Sequence, residues 1–191
     1  KRDNVSVFKG AVSDFSGEAN LRVPVSATNS SLLVEAALEE DAIEKVSVER
    51  LDNLVKPETY DGWIILKTDT EGSDFSVLKG AEGILEKVGI VMSELRLDDP
   101  NNKNSFSRVV EFLSRFNFSF YRMYNYNYRV HGTFRQADVI FMKDKLLTEF
   151  NRSFMPEDKI SKAKYEVLRK DKRSNKLKRQ TQANEKFLEK G

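Results

Sequence analysis

An α/β fold is what this sequence predicts, on three observations. Short apolar segments of strand length alternate with segments whose apolar residues recur every three or four positions, and the stretches between them carry turn and cap residues. Leu, Ile, Val and Phe together supply 54 of the 191 residues, enough for a core. That length allows one modest domain with at most an appendage. The chain has no cysteine, which excludes disulfides, zinc-thiolate and iron–sulfur sites and a thiol nucleophile. Apolar runs such as Trp63-Ile64-Ile65-Leu66 reach four residues, far short of a membrane helix, so no membrane span is expected. A net charge of +2 gives no reason to invoke nucleic acid.

Taken in order, Val5 to Val12 and Ala19 to Val25 read as strands, joined as a hairpin by the Phe15-Ser16-Gly17-Glu18 turn. Residues 30–43 combine Leu32, Leu33, Ala36 and Ala37 with an acidic run and are either a helix or a loop; Val46 to Glu49 is a short strand. Trp63 to Thr68 has the near-continuous apolar pattern of a strand buried on both faces. Behind Ser73 and Asp74, which suit a helix start, Phe75, Leu78, Ala81 and Leu85 have helical spacing, with Val88 at the end of the same pattern. Ile90 to Leu95 is another strand, Asp98 to Asn104 a polar loop, and Phe106, Val109, Val110 and Leu113 a second amphipathic helix. Strand, helix, strand, helix is the rhythm of a right-handed α/β sheet. Phe118 to Tyr128 and Ala137 to Met142 close the domain as two strands around a His131-Gly132 turn.

Charge divides the chain unevenly. Residues 1–142 carry 17 Lys and Arg against 22 Asp and Glu, whereas residues 143–191 carry 15 against 8. The expected organisation is a domain over 1–150 and a basic tail over 151–191, helical or disordered, because its large apolar residues are too sparse to cover a core. The chain opens at Lys1 in what reads as mid-strand, which suggests a fragment; with no secretory h-region and no cysteine, the expected location is cytoplasmic.

Candidate chemistry concentrates in Lys67-Thr68-Asp69-Thr70-Glu71-Gly72, at the carboxyl end of the strand from Trp63, the edge where open α/β sheets bind ligands. Asp69 and Glu71 can serve as general base, hydroxyl acceptor or ligand of a hard cation, or merely as strand-end and cap residues. Gly72 lets the backbone turn tightly. Glu94 would stand beside Asp69 if the two strands are neighbours, and Lys67 can pair with either acid or orient a substrate. No metal is expected, since a hard cation needs several oxygens and only these acids are on offer. His131 reads as a solvated turn residue or a proton shuttle. Tyr121, Tyr124, Tyr126 and Tyr128, with Arg122 and Arg129, read as half-buried strand surface or as a stacking surface for a planar ligand. No G-x-G-x-x-G, P-loop, H-E-x-x-H or Ser-His-Asp pattern occurs.

Leu66 to Ala81, read as LKTDTEGSDFSVLKGA, resembles the LKIDVEGAELEVLKGA signature of FkbM-type methyltransferases. The resemblance extends to Gly10-Ala11-Val12-Ser13-Asp14, to Gly17 through Leu21, to Val48 through Leu54, to Ile90 through Leu95 and to Asp138 through Lys143. It implies a Rossmann-like methyltransferase sheet that uses S-adenosylmethionine to methylate a hydroxyl on a sugar or other small metabolite, so a small-molecule or glycan acceptor is expected. It also implies that Asp69 and Glu71 face the methyl donor, that Ala11 and Val12 lie where the adenine binds, and that Glu94 lines the acceptor side; Lys67 and Gly72, from their own positions beside these acids, are expected to contact substrate. The family's first strands, its glycine-rich cofactor turn and its ribose-binding acid have no counterpart in these residues, and Thr68 and Thr70 replace the usual Ile and Val. The isolated chain is therefore expected to be inactive, and a non-catalytic binding module on the same fold is the rival expectation.

Overall fold

The computed structural model of the chain describes residues 4–25, 30–33, 40–151 and 153. The chain divides into two units, Lys1–Leu147 and Thr148–Gly191. In the second, residues 148–151 and 153 are helical and the Ser153 hydroxyl donates to the Glu149 carbonyl at 3.0 Å. The basic tail expected beyond it lies outside the described residues.

Among the described residues the first unit is mixed α/β with two sheets. One sheet has three strands: β1 (Ala11–Val12), β2 (Gly17–Val23) and β3 (Ala42–Glu49), in the order β1-β3-β2. The other has four: β4 (Ile64–Lys67), β5 (Val88–Arg96), β6 (Phe118–Tyr128) and β7 (Phe134–Lys143), in the order β4-β5-β7-β6. Helices α1 (Leu51–Leu54), α2 (Asp74–Gly80) and α3 (Phe106–Ser114) connect them.

Several expectations need correction. The hairpin between residues 5–12 and 19–25 does not form: β3 inserts between the two, parallel to β1 (Ala11↔Val48) and antiparallel to β2 (Gly17↔Val48). Val5 and Val7 are exposed because no strand pairs with residues 4–9 among those described. The short strand at Val46 starts at Ala42, and Ser31 makes an isolated bridge to Arg22; the middle of the expected helix or loop over 30–43, residues 34–39, lies outside the described residues.

The strand from Trp63 is not buried on both faces. Among the described residues β4 is an edge strand, parallel to β5 alone, and Ile65 is 64% exposed. Its continuous apolar pattern reflects one packed face and one open one. The helix expected from Phe75 to Val88 stops at Gly80, where a Cβ would lie 1.9 Å from the Ser13 carbonyl oxygen. That close approach lets α2 rest on the turn after β1, and a short 3-10 turn, Glu82–Ile84, completes the path to β5.

The remaining strands and α3 fall where the apolar pattern puts them. β5 is antiparallel to β7 and β7 to β6, so the sheet is mixed rather than uniformly parallel. Along β5 burial alternates: Val91, Ser93 and Leu95 are buried while Ile90, Met92, Glu94 and Arg96 are only partly so. The buried face packs Leu66, Val91, Leu95, Val139 and Phe141 against Leu78 of α2 and Val109, Phe112 and Leu113 of α3. Phe106 stacks on Phe141 and Phe75 meets Phe112 edge to face, geometries that the ring quadrupole favours.

Candidate functional site

The site is built where β4 ends. Thr68 continues the pairing, its N–H donating to the Met92 carbonyl at 2.8 Å, and the chain then reverses through Thr70, Glu71 and Gly72, with Ser73 N–H bonded back to the Thr70 carbonyl. Glu71 has φ 50 and Gly72 φ 96, so two successive residues occupy the left-handed region. For glutamate this is a strained conformation that surrounding contacts must hold. The Ser31 hydroxyl does so from one side, donating to the Glu71 carbonyl at 2.9 Å. At Gly72 a Cβ would also lie 2.9 Å from Leu33 Cδ1, so both backbone and space call for glycine.

This turn carries Asp69 and Glu71 to the end of β5, where Glu94 and Asp138 of β7 are register partners. The four carboxylates share one field. Burial pushes the Glu94 carboxyl above its ordinary range, and the charges of Glu71, Asp138 and Asp69 push it further, against a 2.7 Å hydrogen bond donated by Gln136. Lys67 is the nearby cation: its Nζ lies 2.6 Å from Asp69 Oδ2, and that bond, with the Asp69 charge, raises its pKa. Both partners are more than half exposed, so the pair contributes little to stability. Asp138 also accepts from Asn125 Nδ2 at 2.9 Å. Among the described residues no group of three or more His, Asp or Glu is arranged to hold a metal.

Behind the turn lies a cavity of about 240 Å³, walled by Ser13, Asp14 and Phe15 after β1, by Leu32 and Leu33, and by Gly72, Ser73, Phe75 and Ser76. Lys103 stands at its rim. Asp14 is paired with Lys79, which overcomes the effect of burial and holds its carboxyl below the ordinary range. The Ser73 hydroxyl is buried with no hydrogen-bond partner, so the residue expected to cap α2 does not do so.

The structure thus brings Lys67, Asp69, Glu71, Gly72 and Glu94 together. Ala11 and Val12 stand apart from them, in β1, and do not line the cavity; the three residues after them do. His131 lies exposed on the turn between β6 and β7, and Tyr126 and Tyr128, 47% and 55% exposed and packed against Phe134, form half-buried strand surface. Sequence reasoning missed Asp138 and Gln136 as site residues. Their polar alternation in an otherwise apolar strand was the available signal, but only the register of β7 on β5 sets them beside Glu94.

Among the described residues no helix is long and apolar enough to cross a membrane. No curated protein and no solved structure matches the chain. A family model described as the methyltransferase FkbM domain matches residues 3–120, well over half of the 191.

Proposed function

We propose a reaction for this chain, which belongs to the methyltransferase FkbM family: transfer of a methyl group from S-adenosylmethionine to a hydroxyl of a sugar or similar small metabolite. The observation that carries the reading is the acidic lip of Asp69, Glu71, Glu94 and Asp138 at the end of β4, on a turn whose Gly72 and Ser73 line a cavity.

The residues present fit such a donor in two respects. A ring of negative charge opposed by one lysine suits a cationic sulfur. The cavity, which has aromatic and aliphatic walls, a glycine whose Cβ would fill space and an unpartnered buried hydroxyl at Ser73, suits a planar heterocycle with hydrogen-bonding edges. Ser13 to Phe15 and Gly72 to Ser76 would hold that ring, and Asp69 and Glu71 would face the charge.

When bound, S-adenosylmethionine supplies an electrophilic methyl group, so the protein needs only alignment and proton removal. Glu94 is the group suited to take the acceptor proton. Its raised pKa makes it a stronger base than an ordinary glutamate, and Gln136 fixes Oε1 and leaves Oε2 to accept. Asp69, tied to Lys67, orients the acceptor rather than deprotonating it.

Two measurements test this. With S-adenosylmethionine added at millimolar concentration, backbone amide shifts should change saturably at Ser13 to Phe15 and Gly72 to Ser76; shifts confined elsewhere would contradict the reading. In a protein that carries these residues together with the family's glycine-rich cofactor turn, with methyl-tritiated donor and a panel of neutral mono- and oligosaccharides, label should enter an alkali-stable ether. Glu94→Gln should then lower transfer by about a hundredfold.

A further inference from the structure

One buried acid has no part in the mechanism above. Asp74, the first residue of α2, is 1% exposed, in a segment where carboxylates are ordinarily solvated. It does not cap its own helix in the usual way. Its Oδ1 accepts from the Thr70 N–H at 3.4 Å and the Gly72 N–H favours the same carboxylate, so it steadies the left-handed turn on both sides of Glu71. Its Oδ2 accepts from Asn104 Nδ2 at 3.3 Å, and the same amide nitrogen donates to the Glu94 carbonyl at 2.8 Å.

Asn104 is itself fixed. It is 3% exposed, its Oδ1 accepts from the Phe75 N–H at 3.0 Å, and its carbonyl accepts from the Arg96 N–H at 3.0 Å, so it lies against β5 where β4 has already turned away. The Thr68 hydroxyl lies between Ser93 Oγ, 2.8 Å away, and the Asp74 carboxylate, and adds a third tie between the two strands.

We infer that Asp74 is a positioning residue: one carboxylate holds the Glu71–Gly72 turn with one oxygen and, through Asn104, the end of β5 with the other, and so sets how far Asp69 and Glu71 stand from Glu94. The importance of that separation for methyl transfer rests on the function proposed above; the separation itself does not. An isolated carboxylate in this position is costly, and burial does raise the Asp74 pKa, opposed by Thr68 and by the backbone N–H groups of Thr70 and Gly72. Such a group persists where its bonds organise something the fold would otherwise release. Here that is a turn with a strained glutamate.

The test uses the whole chain without any methyl donor, as wild type and as Asp74→Asn, Asp74→Ala and Asn104→Ala. Asp74→Asn keeps the shape and an acceptor for Thr70 but sets an amide donor against the Asn104 donor. Amide hydrogen exchange at Thr70 and Gly72 should speed up tenfold or more in Asp74→Ala, with Val91 and Leu95 in β5 unchanged. The Glu94 titration, followed by carboxyl NMR, should move down toward the ordinary glutamate range in all three variants as Asp69 and Glu71 draw away. A purely space-filling Asp74 would leave both readouts unmoved in Asp74→Asn, and that result overturns the inference. If Asp74→Ala fails to fold, Asn104→Ala decides the matter: Glu94 should shift while Thr70 exchange stays slow, and an unshifted Glu94 overturns the inference equally. Neither readout involves the methyl donor, so a chain that shows these shifts but no saturable S-adenosylmethionine response at Ser13 to Phe15 and Gly72 to Ser76 would refute the proposed function and leave the positioning role standing.

Discussion

The two faces of the four-stranded sheet differ in what they are made of and in what they do. On one, Leu66, Val91, Leu95, Val139 and Phe141 lie under α2 and α3, with Val91, Leu95 and Val139 at 0% exposure. On the other, one residue along each strand, stand Ile65, Lys67, Met92, Glu94 and Asp138, half-buried or exposed. The period of two along β5 separates them: a single strand supplies the core with every second side chain and the acidic lip with one of the others. The covered face makes the sheet stable, and the open face, where it runs out at the ends of β4 and β5, carries the charges.

The sharpest way to break this comparison is to truncate one residue on each face. Leu95→Ala removes side-chain volume from a fully buried position and should cost about 2–5 kcal/mol, read from urea unfolding. Ile65→Ala, its side chain largely in solvent, should change stability by about 0.5 kcal/mol or less. Equal losses at the two sites would mean that the open face is covered.

The core face was legible in the sequence because it needs only periodicity. Phe75, Leu78, Val109 and Leu113 at helical spacing, and the apolar strands at Ile64 and Ile90, announce themselves within a few residues. The continuous apolar run at Trp63 misled because a strand with one open face and a strand with none have the same composition; Ile65 is apolar and exposed. Order among strands was not legible at all. β3 enters between β1 and β2 through pairings such as Ala11↔Val48 and Gly17↔Val48, far apart in the chain, which no local pattern encodes. The same holds at the site. Asp69, Glu71, Gly72 and Glu94 were found through a short local motif and its neighbour, whereas Asp138, Gln136, Asp74 and Asn104 acquire their roles only through contacts across strands.

A smaller effect sharpens the same contrast through pH. Asp74 has its pKa raised by burial above the ordinary 3.8, so the folded state favours the uncharged form more than the unfolded chain does. Its contribution to stability is present below 3.8 and is lost as pH rises through the raised value. Asp74→Asn has no proton to lose, so the stability of wild type relative to this variant should fall as pH rises through that window, in urea midpoints taken at successive pH values. Parallel curves would show that Asp74 titrates normally. The smallest effect is expected at Lys67→Ala: both members of its pair are more than half exposed, and the urea midpoint should not change measurably.

The central claim is that the acidic lip receives a cationic sulfur, and the Glu94 carboxyl is the probe already in place. Its titration should be followed by NMR in the whole chain with S-adenosylmethionine and, separately, with S-adenosylhomocysteine, which differs by the methyl group and the positive charge. A cation at the lip stabilises the carboxylate, so the account predicts that saturating S-adenosylmethionine lowers the Glu94 pKa and that S-adenosylhomocysteine lowers it much less. An identical shift with both compounds, or none with either, would contradict it.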